Sequence, residues 1–106
     1  MRVFISQPMR GFSNDEIMAL REEAFNEFKE EHPDAELIPS FMTRDEKFWE
    51  DTEDIPHPEL EALGQSVAFM SSADILLLMP GWEAFPGCRI EQKVARYYGI
   101  PIEYVR

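Results

Sequence analysis

Apolar residues in this chain fall into short dense runs, separated by longer stretches in which they recur every three or four positions. "RVFIS" (2–6) is β-branched and aromatic and stops at Gln7-Pro8, so it predicts a strand. "SNDE" follows, with Ser13 three residues before Glu16, the spacing of a capping box that opens a helix. Ile17, Leu20, Ala24 and Phe28 then share one face, while Glu22, Glu23, Glu27 and Glu30 point away. Pro33 closes that helix, and "AELIP" (35–39) predicts a short second strand. The acidic, proline-containing stretch from Ser40 to Pro58 reads as a long solvated loop carrying one turn around Glu46–Glu50.

A second long helix is expected from Pro58, since proline suits a first-turn position, with Leu60, Leu63, Val67 and Met70 as its apolar stripe. Ile75 to Met79 is apolar without alternation, the signature of a central parallel strand covered on both faces. A third helix spans about Gly87 to Tyr98, with Ile90, Val94 and Tyr97 expected to face inward. Gly99 and Pro101 stop it, and "PIEYV" (101–105) is a last strand.

Strands alternating with helices predict a single α/β domain over residues 1–106. It is expected to be a three-layer sandwich around a parallel sheet of four to five strands, of the flavodoxin/Rossmann-like kind. Such sheets bind ligands beyond the carboxyl ends of their strands, where the strand order switches. With the order 2-1-3-4, the loops "SQPMRGFS" and "PGWEAFPG" lie side by side, and Arg10 and Glu91 flank one cleft.

Composition narrows the partners. Ten basic residues against 21 acidic ones give a net charge of −11, which argues against duplex nucleic acid, because phosphate binding depends on Lys and Arg releasing counterions. A single cysteine, Cys88, excludes an intramolecular disulfide and suits a reducing compartment. The opening "MRVFISQPMRG" lacks the long apolar stretch of a signal peptide, and no run approaches the roughly 20 residues that span a membrane. A cytoplasmic protein without membrane association is expected. His32 and His57 stand apart from any ligand-spaced Cys or His, so no metal is expected. The glycine patterns of nucleotide-binding loops are missing, and no other cofactor is expected either.

Several residues remain as candidates for chemistry. Glu91 is either a helix-start acid, worth about 0.3–1 kcal/mol through the helix dipole, or a carboxylate turned into the cleft. The dipole favours its ionised form, which a carboxylate nucleophile needs. Ser6, Gln7, the loop amides and Arg10 can hold a phosphate or sugar hydroxyls, or else form a simple turn. Trp82 can stack on a base or cover the edge of the core.

The segments "VFISQPMRGFSNDEI" and "LGQSVAFMSSADILLLMPGWEAFPGCRIEQKVARYYGIPI" resemble a family of small bacterial and phage domains of unknown function, a branch of the nucleoside 2-deoxyribosyltransferase-like superfamily. The likeness covers both ends of the chain and leaves the acidic middle aside. It implies cleavage of the N-glycosidic bond of a deoxynucleoside or deoxynucleotide, with Glu91 as the catalytic nucleophile. It also implies a substrate site built from Ser6, Gln7, Met9, Arg10 and Gly11 in the first loop, with Ser66, Trp82 and Gly87 opposite. Arg10 and Gly11 match the loop that helps hold a 5′-phosphate. The chain departs from the pattern where Phe4, Ser66 and Phe85 replace a tyrosine, an aspartate and a sugar- or phosphate-contacting side chain. Glu83 or Asp45 could stand in for the aspartate. The alternative implied by those losses is a domain that binds a nucleotide-like ligand without turning it over. Self-association is expected, since enzymes of this superfamily complete their sites across subunits, and Phe41, Phe48 and Trp49 offer contacts.

Overall fold

The computed structural model describes residues 1–40 and 46–106. Strands β1 (Arg2–Ser6), β2 (Glu36–Leu37), β3 (Ile75–Leu78) and β4 (Ile102–Tyr104) form one sheet in the order β2-β1-β3-β4. Every pairing is parallel, with Val3 opposite Leu37 and Ile75, and Leu76 opposite Ile102. The expected α/β sandwich, strand order and central third strand are all present.

Helix α1 (Asn14–Glu31) starts at the expected capping box, where Ser13 Oγ accepts from the Glu16 amide at 3.1 Å and Glu16 Oε1 accepts from the Ser13 amide at 2.9 Å. It covers one face of the sheet through Ala24 and Phe28, packed on Val3, Ile5 and Leu77. The other face carries α3 (Pro58–Phe69), continued by a 3₁₀ turn over Met70–Ser72, and α4 (Pro86–Tyr98). There Met70 and Ala95 pack on Phe4, Leu76 and Ile38. Leu76, Leu77 and Leu78 have no exposed surface, and burying each contributes about 1.5–3 kcal/mol. This is why β3 reads as an unbroken apolar run.

The turn expected around Glu46–Glu50 is present and runs slightly further, as a six-residue helix, α2 (Glu46–Asp51), with an ion pair from Lys47 to Asp51 at 2.8 Å. Some expectations are corrected. On α1 the buried stripe includes Arg21, while Leu20 is exposed. On α3 Ala62 is the buried residue, and Leu60 is exposed. The largest correction concerns α4: Cys88, Glu91 and Ala95 are buried, whereas Ile90 is exposed and Tyr97 is 85% exposed. The helix is turned by about one residue, or 100°, from the orientation that apolar spacing alone implies. No helix among the described residues is long and apolar enough to cross a membrane.

Candidate active site

The site begins where β1 and β3 end. Ser6 is the last residue of β1, opposite Leu78, and its side chain points to the same face as Phe4, toward α4. Beyond β3 the chain turns at Gly81, whose φ of 86° suits a residue without a Cβ. A 3₁₀ turn (Trp82–Ala84) follows, and Pro86 starts α4. Gly99, at φ 72°, ends the helix. Glu91 is therefore the sixth residue of α4, in its second turn, and not the first-turn acid the sequence suggested.

Glu91 is 6% exposed and held at both oxygens. Ser6 Oγ donates to Oε1 at 2.6 Å, and Ser66 Oγ, from α3, donates to Oε2 at 2.7 Å. These lengths fit charge-assisted bonds to an ionised carboxylate. Burial nevertheless pushes the Glu91 carboxyl above its ordinary range, while the Ser6 and Ser66 bonds and the Arg21 charge pull it back. The expectation that its helix position favours ionisation is overturned by this desolvation, since the helix start lies more than a turn away.

Arg21 is the buried cation of the site and was not singled out in the sequence. It lies four residues after Ile17 and three before Ala24, on the inward face of α1, and that position is the signal that could have found it. Its Nη2 donates to Ser40 Oγ at 2.7 Å and to Ile38 O at 3.5 Å, while Nη1 reaches Ile5 O at 3.5 Å. The guanidinium thus sits at the carboxyl ends of the first two strands, one residue before Ser6. Burial lowers its pKa to about 10, and the Glu91 charge acts in the opposite direction. Cys88 is also buried here, and its thiol is pushed up to about 11, chiefly by desolvation.

Ser6, Ser66 and Glu91, all expected site residues, are joined by hydrogen bonds. The others lie around them. Gln7 is buried and turns to α1, donating from Nε2 to Ile17 O at 2.8 Å. Met9 is half-buried, and its carbonyl accepts from the Phe12 amide at 3.1 Å to shape the first loop. Arg10 and Gly11 are exposed on that loop, with no hydrogen bond from the Arg10 side chain to the described residues. Trp82 is half-buried with its ring centroid 5.9 Å from that of Tyr104, and Gly87 lies near Leu63. Phe4 is a core residue, Phe85 precedes α4 half-buried, and Glu83 is exposed. Asp74 accepts from the Arg2 amide at 2.6 Å, at the opposite end of the sheet. Phe41 and Asp45 lie outside the described residues. Among the described residues no cluster of three or more His, Cys, Asp or Glu could hold a metal ion.

A cleft of about 220 Å³ opens at the same strand ends on the α1 side, between the residues that follow β1 and those that follow β3. Gln7, Pro8, Met79 and Pro80 line it, which is the switch point of the strand order. Neither Arg10 nor Glu91 lines this cleft, contrary to the expected pairing of the two across it. Glu91 lies behind the strand ends, on the α3/α4 side.

The family described as Domain of unknown function (DUF4406) matches residues 1–104 of the chain. No curated protein and no solved structure matches it.

Proposed function

The chain belongs to the DUF4406 family, and we propose that it binds a nucleoside or nucleotide at the carboxyl edge of its sheet and cleaves the N-glycosidic bond through Glu91. This reading treats it as a branch of the nucleoside 2-deoxyribosyltransferase-like superfamily. The observation that carries it is the Ser6–Glu91–Ser66 clamp, which fixes a carboxylate at the ends of β1 and β3. Two hydroxyls from separate elements satisfy the buried carboxylate and fix the direction in which its remaining lone pairs point.

In this reading one Glu91 oxygen attacks the anomeric carbon. The carbon–nitrogen bond breaks with its electron pair on the departing base, which takes a proton from water. Water then attacks the glycosyl ester and returns Glu91 as a carboxylate, or a second base takes the sugar. Each carboxylate oxygen keeps a lone pair beyond the one used by its serine, so the clamp and the attack are compatible. Arg21 supplies the positive charge that favours the ionised form. Ser66 binds the nucleophile and, unlike the aspartate it replaces, cannot act as an acid toward the base, so the leaving-group help such an acid gives, typically worth ~10²–10⁴-fold, is weakened and turnover is slow. Self-association belongs to the same reading: Trp49, stacked edge-on with Phe48, is 48% exposed on α2. A monomeric mass at micromolar concentration counts against it.

One observation favours a second reading, a binding domain without turnover. Glu91 is 6% exposed and absent from the lining of the open cleft. Incubation with a panel of deoxynucleosides and deoxynucleotides, followed by detection of free base, separates the two. Base release that disappears in Glu91→Gln while ligand binding persists supports the enzyme. Binding without release supports the second reading, and absence of binding refutes both.

A further inference from the structure

Charge is distributed unevenly over the helices. In a chain with 21 acidic and ten basic residues, α1, α2 and α3 each expose acids. Helix α4 exposes none, because its one acid, Glu91, is buried. It exposes instead Arg89, Lys93 and Arg96, whose side chains make no ion pair or hydrogen bond with the described residues. The bond from Gln92 Nε2 to Tyr104 Oη, at 3.2 Å, turns one side of the helix toward β4. Arg89 is three residues before Gln92 and Arg96 four after it, so both arginines share that side.

β4 is the last strand in the order β2-β1-β3-β4, so one of its edges is open. The Leu76 amide donates to Pro101 O and the Val105 amide to Leu78 O, each at 2.9 Å, which turns the backbone groups of Pro101, Glu103 and Val105 toward β3. Those of Ile102 and Tyr104 point outward, and no described residue bonds them. Unpaired donors and acceptors of this kind are a template for another strand. Side chains alternate across the same edge. Ile102 packs into the core on the α4 side and Tyr104 meets Gln92, whereas Glu103 is exposed on the opposite face.

We propose that the open edge of β4 takes up, as a fifth strand, an extended polypeptide segment with an acid at every second residue. Its backbone pairs with Ile102 and Tyr104, and its acids lie on the α4 face beside Arg89 and Arg96. Its intervening residues fall on the face of Glu103, which disfavours an acid there, so the recognised pattern alternates. β4 is three residues long, so its backbone offers few bonds and the cations decide which strand stays. A second copy is a poor occupant. Pairing β4 with the β4 of another copy about a two-fold axis sets the arginine-bearing sides of the two α4 helices against each other. The inference goes beyond the catalytic reading and does not depend on it.

The test is titration of the full chain with a short, end-blocked peptide alternating Glu and Val, followed through the backbone amides of Ile102 and Tyr104. Binding is expected to shift both amide signals and to slow their hydrogen exchange. A peptide alternating Lys and Val should bind at least about tenfold more weakly. Arg89→Glu combined with Arg96→Glu, at exposed positions, should reverse that preference while leaving the melting temperature unchanged. The Glu–Val peptide N-methylated at alternate amides keeps its charge, loses its strand pairing and should not bind. No binding by the Glu–Val peptide, binding that leaves Ile102 and Tyr104 unmoved, or equal binding of the two peptides overturns the proposal, as does retention of the N-methylated peptide. Slow exchange of the two amides in the protein alone, growing with its concentration, also overturns it by making the edge a contact between copies. Oligothymidylate that displaces the peptide at equal concentration does the same by making the face a general polyanion site. None of these measurements involves base release, so each outcome leaves the catalytic reading to its own test.

Discussion

Removing the Ser6 hydroxyl probes the clamp most directly. Ser6 is 1% exposed and its 2.6 Å bond ends on a carboxylate that is itself 6% exposed, so water cannot replace the lost donor. A hydrogen bond to a charged group contributes about 1.5–3 kcal/mol, against about 0.5–1.5 kcal/mol for a neutral pair. Ser6→Ala is therefore expected to lower stability by about 2 kcal/mol near pH 8, where Glu91 is most fully ionised. With a urea slope of about 1–3 kcal/mol per molar, the unfolding midpoint moves by about 1 M. In a Glu91→Gln background the lost bond is neutral, and the cost falls to about 1 kcal/mol. The double-mutant cycle then yields a coupling of about 1 kcal/mol, above the ~0.3–0.5 kcal/mol scatter of independent sites. The coupling should shrink as pH falls and Glu91 takes up its proton. A coupling within that scatter at pH 8, or one that grows on acidification, refutes the charge-assisted clamp.

Burial raises the Glu91 pKa in the folded state, so the folded protein binds that proton more tightly than the unfolded chain. The contribution of Glu91 to stability is accordingly complete below its ordinary value of 4.5 and is lost as pH rises through the raised folded value. Glu91→Gln should flatten that part of the pH–stability curve in urea titrations. The Cys88 thiol, raised to about 11, holds about one part in a thousand as thiolate at pH 8, so a disulfide reagent should label it only as the protein unfolds. Ser13→Ala breaks the capping box of α1 and should cost about 1 kcal/mol, seen as a melting point lower by about 4–8 °C.

The sheet was legible because β1 and β3 are buried on both faces and carry uninterrupted apolar residues, which no other element imitates. The order of the strands entered the sequence reading as a premise, and it is the pairing of β1 with both β2 and β3 that establishes it. The facing of α4 was not legible from periodicity, because that argument assigns charged residues to solvent. Glu91 breaks the assumption: two hydroxyls and the charge of Arg21 compensate its burial, so the helix turns the carboxylate inward and leaves Ile90 and Tyr97 outside. Arg21 on α1 fails the same rule for the same reason, with Ser40 and two strand-end carbonyls as its compensation. Such failures of local pattern collect where polar groups are brought together for use. Ser6 was a candidate from its place at the start of the polar first loop and Ser66 through the family likeness, but nothing in their spacing indicates that they meet on one carboxylate.

The pairing of β1 with β3 also governs how the molecule comes into being. Val3 and Ile75, opposite one another in the sheet, are 72 residues apart in the chain. At about 5–20 residues per second, a ribosome delivers β3 roughly 4–14 s after β1. During that interval β1 has only the two-residue β2 as a neighbour, and α1, although capped, is marginal as an isolated helix in water. The nascent amino-terminal half therefore waits with "RVFIS" unburied, exposed to chaperones and to other strands. Completion of β3 and α4 closes the core and assembles Ser6 with Glu91 in one late event, so a truncated product lacks the candidate site as well as the fold.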